Sequence, residues 1–98
     1  MVEGSVSDDL SKSMVTLVRN MARALVDFPD EVTVVAIQER EGTALLLRVA
    51  HSDLGKVIGK QGRTARSIRT ILGAASMKAQ HRFSLDIQQI EAPPGSNQ

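Results

Sequence analysis

Two helical patterns in this chain are interrupted by Gly59-Lys60-Gln61-Gly62, and a break of that kind dictates how the chain can turn. Glycine lacks a Cβ and reaches backbone conformations closed to other residues, so paired glycines make a tight connection that a second molecule can approach closely. The fuller stretch, Gly55-Lys56-Val57-Ile58-Gly59-Lys60-Gln61-Gly62-Arg63, surrounds the break with positive charge. A short helix, Leu54 to Ile58, is predicted before it, and the polar run His51-Ser52-Asp53 stands where that helix would be capped. After it, Ala65, Ile68, Leu72, Ala75 and Ala79 recur every three or four residues, which predicts a longer helix from Thr64 to about Gln80.

The flanking segments complete a small α+β pattern. Leu10, Met14, Leu17, Val18, Met21 and Leu25 have helical spacing, with Ser7, Asp8 and Asp9 suited to the helix start and Pro29 to its end. Glu31 to Arg40 and Thr43 to Ala50 are rich in Val, Ile, Leu and Thr and are separated by Glu41-Gly42, which predicts an antiparallel hairpin. Arg82 to Gln88 alternates strictly, with Phe83, Leu85 and Ile87 on one face and Ser84, Asp86 and Gln88 on the other. That is the pattern of a half-buried strand. The expected order is α-β-β-α-α-β, a three-stranded sheet with helices packed on one face. Residues 1–7 read as a flexible leader, 8–90 as one domain, and 91–98, with Pro93, Pro94 and Gly95, as a disordered tail.

With 98 residues the chain can close one hydrophobic core but not a two-domain cleft. It has no cysteine, which excludes disulfides, thiolate metal sites and cysteine nucleophiles, and no apolar run of membrane-spanning length. A cytoplasmic setting is expected. The net charge is only +1, yet from Leu54 to Arg82 every charged residue is basic: Lys56, Lys60, Arg63, Arg66, Arg69, Lys78 and Arg82. This segregation, rather than bulk charge, points to an anionic partner.

The glycine stretch fits neither nucleotide pattern. Gly55 and Gly59 are separated by three residues where a P-loop needs four, and Gln61 stands where a magnesium-binding hydroxyl is required. The dinucleotide pattern fails because Val57 occupies the position of its first glycine. What remains is G-x-x-G at the start of a helix, where free N–H groups and the helix dipole attract phosphate. Lys60 stands at the tip. Arg63, Arg66 and Arg69 step by three and share an arc of roughly 120° on an ideal helix, away from its apolar stripe.

Val57-Ile58-Gly59-Lys60-Gln61-Gly62-Arg63, followed by Ile68-Arg69 in this element order, resembles a KH domain of the type II arrangement. More narrowly, the chain from about Leu10 to Ile90 is similar to the small bacterial stand-alone KH proteins of the KhpA family. The resemblance implies that Gly59, Lys60, Gln61 and Gly62 clamp the backbone of single-stranded RNA, with Gly55, Val57 and Ile58 on the short helix and groove wall. Lys56 and Arg63 flank the clamp, and helix geometry adds Arg66 and Arg69. It also implies self-association and pairing with a larger Jag-type KH partner, KhpB. Ile71 falls roughly 80° from the centre of its helix's apolar stripe and is the candidate for that contact.

The implied function is an RNA chaperone or post-transcriptional regulator. Two alternatives stay open: an adaptor that uses the fold mainly to bind a partner protein, and a binder of single-stranded DNA. Phe28 and Phe83 are the only residues of the Phe, Tyr and Trp class, both expected to pack internally, so an aromatic stacking platform is not expected. No catalytic residue, cofactor or metal ligand is expected, because His51 and His81 are isolated and no nucleophile motif is present.

Overall fold

In the computed structural model, residues 3–90 are described, with side chains from Asp9 onward. The tail expected over 91–98 and the first two residues of the expected leader lie outside them. Helix α1 runs Glu3–Leu25, strands β1 and β2 are Thr33–Glu39 and Gly42–Val49, helices α2 and α3 are Leu54–Ile58 and Arg63–Ala79, and strand β3 is Arg82–Gln89. The order and the α+β class are those expected. Helix α1 begins at Glu3, ahead of the expected start at Ser7 to Asp9, because nothing between Glu3 and Ser7 forbids helical backbone. Pro29 does not directly follow α1 but opens a 3-10 turn, Pro29–Glu31, which takes Glu31 out of the hairpin.

The sheet order is β1-β2-β3. β1 and β2 form the expected antiparallel hairpin, whereas β3 runs parallel to β2, with Leu45 opposite Leu85 and Leu47 opposite Ile87. The return across α2 and α3 makes that parallel pairing possible, since a parallel neighbour needs a crossover connection. Four elements with an apolar period contribute to one core. Val18 and Ala22 come from α1, Leu45, Leu47 and Val49 from β2, Ile68 and Leu72 from α3, and Phe83 and Leu85 from β3.

β2 is the central strand, and its alternate side chains are fully buried; edge strand β1 contributes only half-buried Val34 and Ala36. Met14 and Met21 pack against this core, as expected. Phe28 does not pack internally: it is half exposed, in the loop after α1. Helix α3 ends where Gln80 takes a left-handed conformation (φ 55°), and Ser76 accepts a hydrogen bond from the Phe83 N–H at 2.9 Å, turning the chain directly into β3.

Candidate nucleic-acid interface

The connection between α2 and α3 departs from ordinary backbone at three successive corners. Gly59 has φ 81° and ψ 169°, Gln61 has φ 58°, and Gly62 has φ 74°. The Gly59 conformation belongs almost solely to glycine. A Cβ there would also collide with the Thr64 hydroxyl and stand 2.8 Å from the Thr64 N. At Gly62 a Cβ would have room, meeting only an Arg66 nitrogen at 3.9 Å, so its glycine answers to the backbone angle alone.

This path determines which donors are left over. The Gly59 N–H donates to the Gly55 carbonyl at 2.8 Å and the Gly62 N–H to the Gly59 carbonyl at 3.0 Å. Between them, the N–H groups of Lys60 and Gln61 have no backbone acceptor among the described residues. Both side chains are exposed, and α3 begins one residue after the loop with no acid in its first turn. Two unpaired donors, a lysine and a helix N-terminus therefore coincide where no Cβ obstructs the approach at Gly59 or Gly62.

A groove of about 370 Å³ leads away from the loop. Ile58, Gly62 and Ala65 form one side of it, Asp86 and Ile87 of β3 the other, and Arg66 and Arg69 reach in from α3. The Arg66 guanidinium donates to the Gln61 carbonyl at 3.3 Å, and that of Arg69 to the Leu85 carbonyl on the free edge of β3 at 3.1 Å. The two arginines are thus held at opposite walls while remaining exposed. Arg63 is exposed at the start of α3 but does not line the groove.

The α2 residues separate into different tasks. Ile58 faces the groove, whereas Val57, placed on the groove wall by the sequence reading, is fully buried in the core, because one helical step turns it inward. Gly55 is exposed, with nothing near its Cβ position. Lys56 lies 3.3 Å from the Asp27 carboxylate and 3.7 Å from that of Asp53, so its charge is balanced locally.

Asp53 does not cap α2, contrary to the expectation for the His51-Ser52-Asp53 run. It is fully buried, and its two oxygens accept the backbone N–H groups of Asp27 at 3.1 Å and Phe28 at 3.0 Å. The carboxylate ties the exit of α1 to the start of α2 and so sets where the glycine loop stands. Sequence reasoning missed this partner, which lies twenty-five and twenty-six residues away. It also missed Ala65, Asp86 and Ile87 as groove residues. Only the alternation in β3 hinted at the last two.

Among the described residues no group of His, Cys, Asp and Glu could hold a metal ion, and no helix is long and apolar enough to cross a membrane. His51 Nδ1 lies 2.9 Å from the Gln89 amide oxygen and His81 Nε2 lies 2.8 Å from the Thr43 hydroxyl, so both rings have structural partners.

Comparison with known proteins places this geometry in a lineage. The solved structures that resemble it include Era in complex with MgGDPNP and nucleotides 1506–1542 of 16S ribosomal RNA, with a TM-score of 0.54 at 14% identity. That match covers 87% of this chain but 32% of the Era chain, and at such identity it speaks for the fold alone. Closer in sequence is the RNA-binding protein KhpA of Treponema pallidum, 51% identical over 71 residues that make up 72% of this chain and 89% of that protein. The RNA-binding protein KhpA of Clostridium acetobutylicum is 46% identical over 74 residues, 76% of this chain and 99% of its own. The family described as KhpA/KhpB, KH domain matches residues 15–87, a span that includes the glycine loop, the groove, β1, β2 and most of β3, and the chain belongs to that family.

Proposed function

We propose that this chain binds single-stranded RNA by clamping its backbone at Gly59-Lys60-Gln61-Gly62 and laying bases along the groove between α3 and β3. The observation that carries the reading is the pair of unpaired N–H groups at Lys60 and Gln61, set between glycines and beside a groove that holds two arginines. The naming of its relatives as RNA-binding proteins supports it. Lys60 supplies mobile charge at the tip, Arg63 and Arg66 extend the positive field, and Ile58, Ala65 and Ile87 offer an aliphatic surface for bases. In this reading Lys56 acts through its ion pairs, holding α2 in place, and Gly55 keeps the outer face of α2 low. The protein acts in the cytoplasm, without catalysis, as an RNA chaperone or post-transcriptional regulator.

Fluorescence anisotropy of short labelled single strands tests this. A single strand loses about 0.7 in log affinity per contacted phosphate for each tenfold rise in salt. Capture of about four nucleotides therefore predicts roughly 50-fold weaker binding when salt is raised fourfold. Binding that ignores salt, or no binding at any concentration reached, would sink the clamp. Equal affinity for DNA of the same sequence would show that the 2′-hydroxyl is not read.

Pairing with a KhpB-type partner or with a second copy belongs to the same reading and rests on α3. Ile71 is 43% exposed and Met77 83%, with exposed Ala74 between them on one flank of α3, where Lys78 stands a heptad from Ile71 and the small Ala74 leaves room for close approach. Tethering a second site in this way would raise the apparent affinity of a small footprint. Ile71→Asp is expected to lower the mass seen by light scattering from that of an oligomer to that of a monomer, with the fold intact. A folded variant with the wild-type mass would remove Ile71 from the contact.

A further inference from the structure

Helix α1 carries cations that neither the glycine loop nor the core uses. Between Leu10 and Val26 the chain has no acid, and its charged residues are Lys12, Arg19 and Arg23. Steps of seven and four residues bring all three within an arc of roughly 40°, in a stripe about 16 Å long. The arc lies to one side of the buried face marked by Val18 and Ala22, so it forms a flank of the helix. Among the described residues none of the three forms an ion pair. Like charges one turn apart, such as Arg19 and Arg23, cost a helix stability, and among the described residues no ion pair offsets that cost.

The flank borders a cleft. Lys12, Val15, Thr16 and Arg19 line it from α1, and Ala36 and Gln38 from β1, around a volume of about 430 Å³. β1 is an edge strand, so the backbone groups along its outer side have no strand partner. No carboxylate lines the cleft. Its floor of Val15 and Ala36 with cations at the rim is the same combination that Ile58 and Ala65 make with Arg66 and Arg69 at the other edge of the sheet.

We propose that this flank is an auxiliary phosphate track, engaged by an RNA strand long enough to continue beyond the nucleotides held at the glycine loop. The proposal rests on the RNA reading above. Continuity favours it: α1 ends against α2, the helix that leads into the loop, and Lys56 joins the two through Asp27. Cations spaced along a helix, without a shaped pocket at each, suit a polymer bearing one charge per unit better than a peptide whose acids must match set positions. A second copy is disfavoured, because two-fold pairing of β1 edges would set one basic flank against another.

The test is a Lys12→Gln, Arg19→Gln, Arg23→Gln variant, in which glutamine keeps helix propensity and much of the side-chain stem. Its thermal melt checks the fold. Anisotropy is then measured with unstructured RNAs of roughly five and roughly twenty nucleotides, the shorter just filling a four-nucleotide clamp. The variant is expected to bind the short strand as the wild type does and the long strand about tenfold more weakly, with a salt slope shallower by about two, as loss of three phosphate contacts predicts. Unchanged affinity for the long strand overturns the track. Equal weakening on both lengths also overturns it, since that marks a general field effect. Intact RNA binding with lost binding of a polyglutamate peptide would give the flank to an acidic protein instead. Failure of the wild type to bind either RNA would bring down the loop reading itself, an outcome separable from the others.

Discussion

Replacing both Lys60 and Gln61 with aspartate is expected to weaken binding of single-stranded RNA by about 100-fold or more, equivalent to roughly 2.7 kcal/mol. The substitution turns one attraction into a repulsion and adds a second negative charge beside the two N–H groups that have no backbone acceptor. The fold should tolerate it. Gln61 is left-handed at φ 58°, a conformation that aspartate adopts more readily than most residues. Lys60 lies just before α3, where a negative charge faces the positive end of the helix dipole. The melting temperature should therefore stay within about 4 °C of the wild type, as for a surface change worth under about 0.5 kcal/mol. A folded variant that still binds RNA would move the surface elsewhere. Substituting the glycines would not make this distinction, because a Cβ at Gly59 collides with Thr64 and would damage loop geometry and binding together.

The largest expected loss of stability lies outside the loop, at Asp53→Ala. Two backbone N–H groups would lose a buried carboxylate acceptor, and Lys56 would lose one of its two anionic neighbours. Hydrogen bonds to a charged group are each worth about 1.5–3 kcal/mol, so a net cost of about 3 kcal/mol is expected. For a domain of this size that lowers the melting temperature by roughly 12–24 °C. Lys56→Ala should cost less, about 1 kcal/mol, since its pair with largely exposed Asp27 is screened by solvent and buried Asp53 keeps both of its amide donors. Thermal melts of the two variants decide the point. Similar small losses in both would mean that the Asp27 and Phe28 amides find water instead of needing Asp53.

The consequence for binding follows from position. Asp53 holds the end of α1 against the start of α2, and α2 passes directly into Gly59. At temperatures where Asp53→Ala remains folded, its RNA affinity should fall less than that of the loop variant, because the free N–H groups of Lys60 and Gln61 depend on the local turn. A buried carboxylate can thus maintain a surface it never touches.

Much of this architecture was legible because its signals are local. The three- and four-residue spacing of Ile68 and Leu72, the alternation of Phe83, Leu85 and Ile87, and the glycines at 59 and 62 each reflect a constraint felt within a few residues. The same spacing put Arg66 and Arg69 on one side of α3, and the structure brings both to the groove. Val57 was misplaced because Val57 and Ile58 look alike in sequence. Which of two adjacent apolar residues on a one-turn helix points inward depends on how that helix docks.

The residues alone determined the order of elements, the glycine break, and the absence of acids from the segment between Leu54 and Arg82, since these follow from backbone freedom, side-chain period and composition. Docking decided the rest. The parallel pairing of β3 with β2 set Asp86 and Ile87 across from Arg66 and Arg69, and the approach of α1 to α2 gave Asp53 its two amide partners. Such contacts join residues far apart in the chain, and their free energy exists only once the core beneath them has closed.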